Sequence, residues 1–171
     1  KLILIGSIVA VVLILATVIA IYFYTRYRKE LKEDMDTHYS KMLKFIEMEN
    51  YKKADTECEE SIKKAEGLRD KDMKELLYHY EQVIEGIIEA DEKYNTESYS
   101  EAKSLYKLVL DEIPYADNAG LSYVKGKLDF ISGYESVNLS LDNGDILFDS
   151  EIYERARERY TDAKNEARKI G

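Results

Sequence analysis

Three stretches limit what this chain can fold into: Tyr51-x-x-Ala54-x-x-x-Cys58-x-x-Ser61, Tyr99-x-x-Ala102-x-x-x-Tyr106-x-x-Val109 and Tyr153-x-x-Ala156-x-x-x-Tyr160-x-x-Ala163. Each places an aromatic residue, a small one, a mid-sized or aromatic one and a small or apolar one at steps of three and four. Such steps keep all four on one stripe of an α-helix. A small residue flanked by larger ones lets a neighbouring helix come close and receives its knobs. The pattern predicts an all-α chain of stacked helix pairs, built to bind or scaffold. Only one proline interrupts the sequence and 35% of its residues are charged, which suits long helices. No strand pattern competes.

Leu2 to Tyr24 carries no charge and is rich in Ile, Val and Leu. As a helix it would be about 34 Å long, enough for a hydrocarbon core of about 30 Å. Tyr22, Phe23, Tyr24 and Tyr27 fall where an interfacial aromatic belt would lie. The run is too long for a signal h-region and lacks a clear small-x-small cleavage site. A single membrane-spanning helix is expected, with Gly6, Ser7 and Ala10 as a small-residue face through which spans could associate. Arg26, Arg28, Lys29 and Lys32 follow at once. The positive-inside rule puts this flank, and the region after it, in the cytoplasm of a single-pass cell-membrane protein. The flank can also pair with anionic headgroups.

The expected division is a membrane helix with its basic flank over 1–29 and a helical domain over 30–171, with 30–38 as a stalk. Residues 1–29 carry a charge of +4, so the whole-chain charge of −9 leaves −13 on the rest. A domain that acidic repels phosphates, which argues against nucleic acid and favours a protein partner with basic residues.

Helices are expected over 30–49 and from Tyr51 past Ala65, with Gly67 near the end of the second. Arg69 to Asp72 is a polar link offering an N-cap aspartate. Met73 to Ile88 is the densest apolar stripe outside the membrane run. Helices follow over Tyr99–Ile113, ended by Pro114, and over 116–134, where Ser132-Gly133 suggests a kink or break. The last two are expected over 137–148 and 152–170, the final one with a charged outer face suited to a terminal cap.

These stripes resemble the second helices of tetratricopeptide repeats, whose units are antiparallel helix pairs. Tyr99, Ala102, Tyr106, Val109 and Pro114 fit the five positions of that helix, with Val replacing one Ala. Tyr153, Ala156, Tyr160 and Ala163 fit four; Tyr51 and Ala54 fit, while Cys58 and Ser61 are looser matches. Ala90 and Gly144 fall at the small position of the front helices. The resemblance implies about three antiparallel pairs forming an α-solenoid. The stripes recur after 48 and 54 residues (Tyr51 to Tyr99, Tyr99 to Tyr153), against about 34 for the family. The surplus implies longer helices or an inserted helix. The membrane run, the Tyr-rich acidic region and Pro114 to Leu121 are also similar to C-terminal tails of some Gram-positive bacterial proteins that begin with a PP2C-type serine/threonine phosphatase. That likeness implies the non-catalytic regulatory tail of a larger signalling protein. A cytosolic phosphatase before Lys1 would put the repeats outside the cell.

Groups for chemistry are sparse. His38 and His79 lack Cys or His partners at metal-binding spacing. Cys58 lies on the packing stripe, where a buried structural thiol is expected. Asp142-Asn143-Gly144-Asp145 lacks the alternating ligands and closing Glu of a calcium loop. No catalytic, cofactor or metal site is expected within these residues. Tyr78, Tyr94, Tyr115, Tyr123 and Tyr134 remain as contact candidates, since repeat surfaces present aromatics to partners. The expected function is a membrane-anchored interaction or scaffolding module. The alternatives are the regulatory tail just described and a structural subunit of a membrane complex.

Overall fold

A computed structural model describes the backbone of residues 2–170 and the side chains of residues 12–170. Six α-helices, one 3-10 turn and no strand occur among the described residues. They are α1 (Leu2–Glu47), α2 (Tyr51–Leu68), α3 (Lys71–Asn95), α4 (Tyr99–Glu112), α5 (Leu121–Asp149) and α6 (Tyr153–Ile170), with the 3-10 turn over Ile113–Ala116. Two compact units divide the chain, Lys1–Glu81 and Gln82–Gly171. Lys71–Glu81 of α3 belongs to the first and the remainder to the second.

Local chemistry sets the helix ends. The Asn50 side chain accepts from the Lys53 amide at the start of α2, and Asp70 Oδ1 accepts from the Met73 amide at 3.1 Å to open α3. Arg69, with φ of 57°, takes the left-handed position that ends α2. Gly67, expected to serve that end, lies inside the last turn instead. A Cβ there would stand 2.9 Å from Leu31 Cδ2, so its role is the close approach of α1. Pro114 sits in the 3-10 turn, where its missing N–H costs no helical hydrogen bond.

In the first unit α1 and α2 are antiparallel, and their contacts rise along α1 as they descend α2. Arg28 Nη2 donates to the Leu68 carbonyl at 2.8 Å. Asp34 meets Lys64 at 2.5 Å, and His38 Nδ1 lies 2.6 Å from Glu57 Oε2. Met35, Met42 and Ile46 of α1 and Ala54, Cys58 and Ala65 of α2 are buried along this seam, joined by Leu77 and Tyr80 of α3. Residues 30–38, expected as a stalk, are thus packed along α2.

Among the described residues no helix is long and apolar enough to cross a membrane. The expected span, Leu2–Tyr24, lies partly outside the described side chains, which begin at Val12. From Val12 to Tyr24 every side chain is exposed, within one helix that continues to Glu47.

In the second unit, Gly86 and Asp91 of α3 face Val109 and Tyr106 of α4. α5 then pairs with α6. The helices expected over 116–134 and 137–148 are one, with no break at Ser132-Gly133. Gly133 faces Ile170 of α6, so the glycine serves packing. The long spacing between stripes therefore comes from the 25-residue α3 and the 29-residue α5. No inserted α-helix separates the stripes among the described residues.

At Gly144 a Cβ would lie 2.6 Å from Tyr160 Cε1. Gly144→Val is expected to cost about 1–3 kcal/mol by overpacking. Gly126 has open space around its Cβ position, so Gly126→Ala should gain about 0.5–1 kcal/mol in the helix. Denaturation followed by far-UV circular dichroism checks both, and shifts of the same sign would contradict this account.

Candidate protein-binding surface

The second unit repeats one constellation. Tyr106 Oη of α4 donates to Asp91 Oδ1 of α3 at 2.5 Å. Tyr160 Oη of α6 donates to Asp145 Oδ1 of α5 at 2.7 Å. In both cases the aspartate precedes its tyrosine by 15 residues. Burial, then the bond to Asp91, raises the Tyr106 hydroxyl far above its ordinary value. The bond to Asp145 raises Tyr160 as well. The aromatic step repeats too. Tyr94 and Tyr99 meet edge to face at 5.4 Å, and Phe148 and Tyr153 do the same at 5.4 Å.

The earlier copy is covered by α5. Tyr123 Oη donates to both oxygens of Asp91 at 2.8 Å. Phe130 lies edge-on to Tyr94 at 5.6 Å, and Tyr134 stands 4.7 Å from Tyr99. The Lys127 ammonium sits 3.9 Å from the centre of the Tyr94 ring. Glu135 of α5 pairs with Lys103 of α4. These contacts bury Ala102, Tyr106 and Val109 and leave Tyr99 half-buried.

Beside this cover an open groove runs between the start of α4 and the middle of α5. Tyr99 and Tyr134 form its aromatic wall, with Leu139 further along. Glu97, Glu101, Glu135 and Asp142 set its rim. Glu101 is held by Lys93 at 2.7 Å, and Glu135 by Lys103. Glu97 and Asp142 have no ion-pair partner among the described residues, so the groove keeps negative charge over apolar rings. Carboxylates beside exposed ring faces suit a cationic side chain, which gains from both charge and ring quadrupole.

The residues marked by the stripes have different fates. Tyr51, Ala54, Cys58, Ala102, Tyr106, Ala156 and Ala163 are buried. Cys58 Sγ donates to the Leu77 carbonyl at 3.5 Å. Tyr160 is half-buried, Pro114 is exposed, and Tyr153 keeps 56% of its surface. Of the basic flank, Arg26 pairs with Glu30 at 2.9 Å, Lys29 with Glu33 at 3.7 Å, Arg28 caps α2, and Lys32 is exposed. No group of three or more His, Cys, Asp or Glu residues is arranged to hold a metal among the described residues. Of the other tyrosines, Tyr94, Tyr123 and Tyr134 enter the cluster, while Tyr78 and Tyr115 stay exposed.

Sequence reasoning missed Asp91, Asp145, Lys127, Phe130 and Glu135. A signal existed for the aspartates: both stand 15 residues before a stripe tyrosine. No protein-family profile, curated protein or solved structure matches the chain.

Tyr106→Phe should lower stability by about 1.5–3 kcal/mol near neutral pH, the range for a hydrogen bond to a charged group. The raised pKa keeps Tyr106 protonated in the fold after the unfolded residue has ionised. Stability from this group is therefore present below pH 10 and lost above it, by about 1.4 kcal/mol per pH unit. Denaturant midpoints for wild type and Tyr106→Phe should keep their gap up to about pH 10 and converge as pH rises toward about 12. A constant gap would count against the assignment.

Proposed function

We propose that this chain is a membrane-anchored helical-repeat module, of tetratricopeptide-like pairs, that gathers a protein partner beside the membrane. The observation that carries the reading is the groove of Tyr99 and Tyr134 rimmed by Glu97 and Asp142. An aromatic wall with unpaired carboxylates favours a segment bearing Lys or Arg, in keeping with a charge of −13 on residues 30–171. The uncharged run from Leu2 to Tyr24 supports a single-pass anchor, and the basic residues after it support a cytoplasmic repeat domain. No catalytic role is assigned to these residues.

One observation favours a second reading, the regulatory tail of a larger membrane signalling protein. α1 runs unbroken from the apolar run into the helical domain, and Arg28 ties it to α2. That layout suits passage of a signal from one side of the membrane to the other.

The first reading is tested with the full chain in detergent as bait against solubilised membrane and cytosolic fractions. A partner captured at low salt should be released as salt rises, since exposed charge contacts are screened. Glu97→Lys with Asp142→Lys should reduce its recovery about tenfold or more. Equal recovery by wild type and double variant, or none at any salt, would sink the proposal. Labelling of a cysteine placed at Asn95 or Asp142 in intact cells reports the side of the membrane, because Cys58 is fully buried.

A further inference from the structure

The Tyr-Asp and aromatic constellation occurs twice in the second unit, 54 residues apart, but only its first copy is covered. Tyr94, Tyr99 and Lys103 correspond to Phe148, Tyr153 and Arg157. α5 lies over the first set. Over the second, Phe148 and Tyr153 are 54% and 56% exposed. Together with Ala156, Arg157, Tyr160 and Lys164 they line an open apolar hollow. The differences follow those contacts closely. Asp91 receives hydroxyls from both Tyr106 and Tyr123, whereas Asp145 receives only that of Tyr160 among the described residues. Lys103 has Glu135, while Arg157 and Lys164 have no acidic partner among the described residues. Two aromatic rings on this face stand in water among the described residues.

We propose that the outer face of the α5–α6 pair is a docking site for an amphipathic helix of a partner protein that sets a carboxylate opposite Arg157, seated on Phe148, Tyr153 and Arg157 as α5 is seated on Tyr94, Tyr99 and Lys103. The chemistry of the occupant is read from α5. It presents a hydroxyl toward Asp145, an aromatic ring against Phe148 and Tyr153, and a carboxylate to Arg157. On α5 these groups are Tyr123, Phe130, Tyr134 and Glu135, all on one helix, which matches groove recognition by spaced anchors. Arg157 and Lys164 favour a carboxylate at this point of the occupant. They also disfavour a second copy docked through the same face, which would set these cations of one α6 against those of the other. The chain's own α5 is already engaged by α4 and α6. The face shares no lining residue with the acidic groove.

The probe is a dye-labelled synthetic peptide with the sequence of residues 121–138, titrated with the full chain in detergent micelles and read by fluorescence anisotropy. Saturable binding is expected, weakened about tenfold or more by Arg157→Glu or Tyr153→Ala. Arg157 and Tyr153 are exposed, and unchanged helical circular dichroism confirms that each variant folds. A peptide carrying Glu135→Lys should bind wild type poorly and recover affinity for Arg157→Glu. Absence of saturable binding, or affinity indifferent to Arg157→Glu, overturns the proposal. So does light scattering that finds a dimer which Arg157→Glu dissociates, since a second copy would then hold the face.

Discussion

A phenol hydroxyl given to a carboxylate one helix back fixes the register of both later helix pairs. Tyr106 to Asp91 and Tyr160 to Asp145 pin each pair at one height, and the small residues beside them set the distance. Ala90 and Gly144 stand next to the aspartates, and Ala102 and Ala156 stand one turn before the tyrosines. Close approach and a directional bond thus come from neighbouring positions. The first pair lacks the tyrosine. Cys58 occupies its place, and the seam is held instead by Arg28, Asp34 and His38 reaching Leu68, Lys64 and Glu57. Polar contacts spread along two helices replace one directional bond, which leaves that pair more dependent on salt at its surface.

What the sequence made legible was periodicity. Each stripe falls on its own helix, α2, α4 or α6, and the turn at Asn50 follows its side-chain chemistry. What it hid was the difference between a glycine that breaks a helix and one that lets a neighbour in. Gly133 reads as a break beside Ser132, yet it faces Ile170 inside an unbroken α5. Gly67 reads as a terminator, yet Arg69 takes the left-handed position. Only the neighbouring helix decides such cases, and it is remote in sequence.

The surface was less legible than the core. Asp91 on a helix reads as a solvated charge until two tyrosines converge on it. Equal stripes likewise gave no hint of unequal cover. Tyr51 is 4% exposed and Tyr153 is 56% exposed, although both open the same motif. The motif describes the helix that carries it. Its burial depends on what lies across from it, and for α4 that is α5, the helix next in the chain.

The unbroken α1 has a mechanical consequence. Between Ser7 and Glu47 it holds neither glycine nor proline, so no soft joint interrupts it. A 46-residue helix is about 69 Å long, and along one part of it α2 is clamped by Arg28, Asp34 and His38. Turning its first residues about the helix axis therefore turns α2 with them. The first unit behaves as the head of a drive shaft, able to deliver torque as well as to hold position.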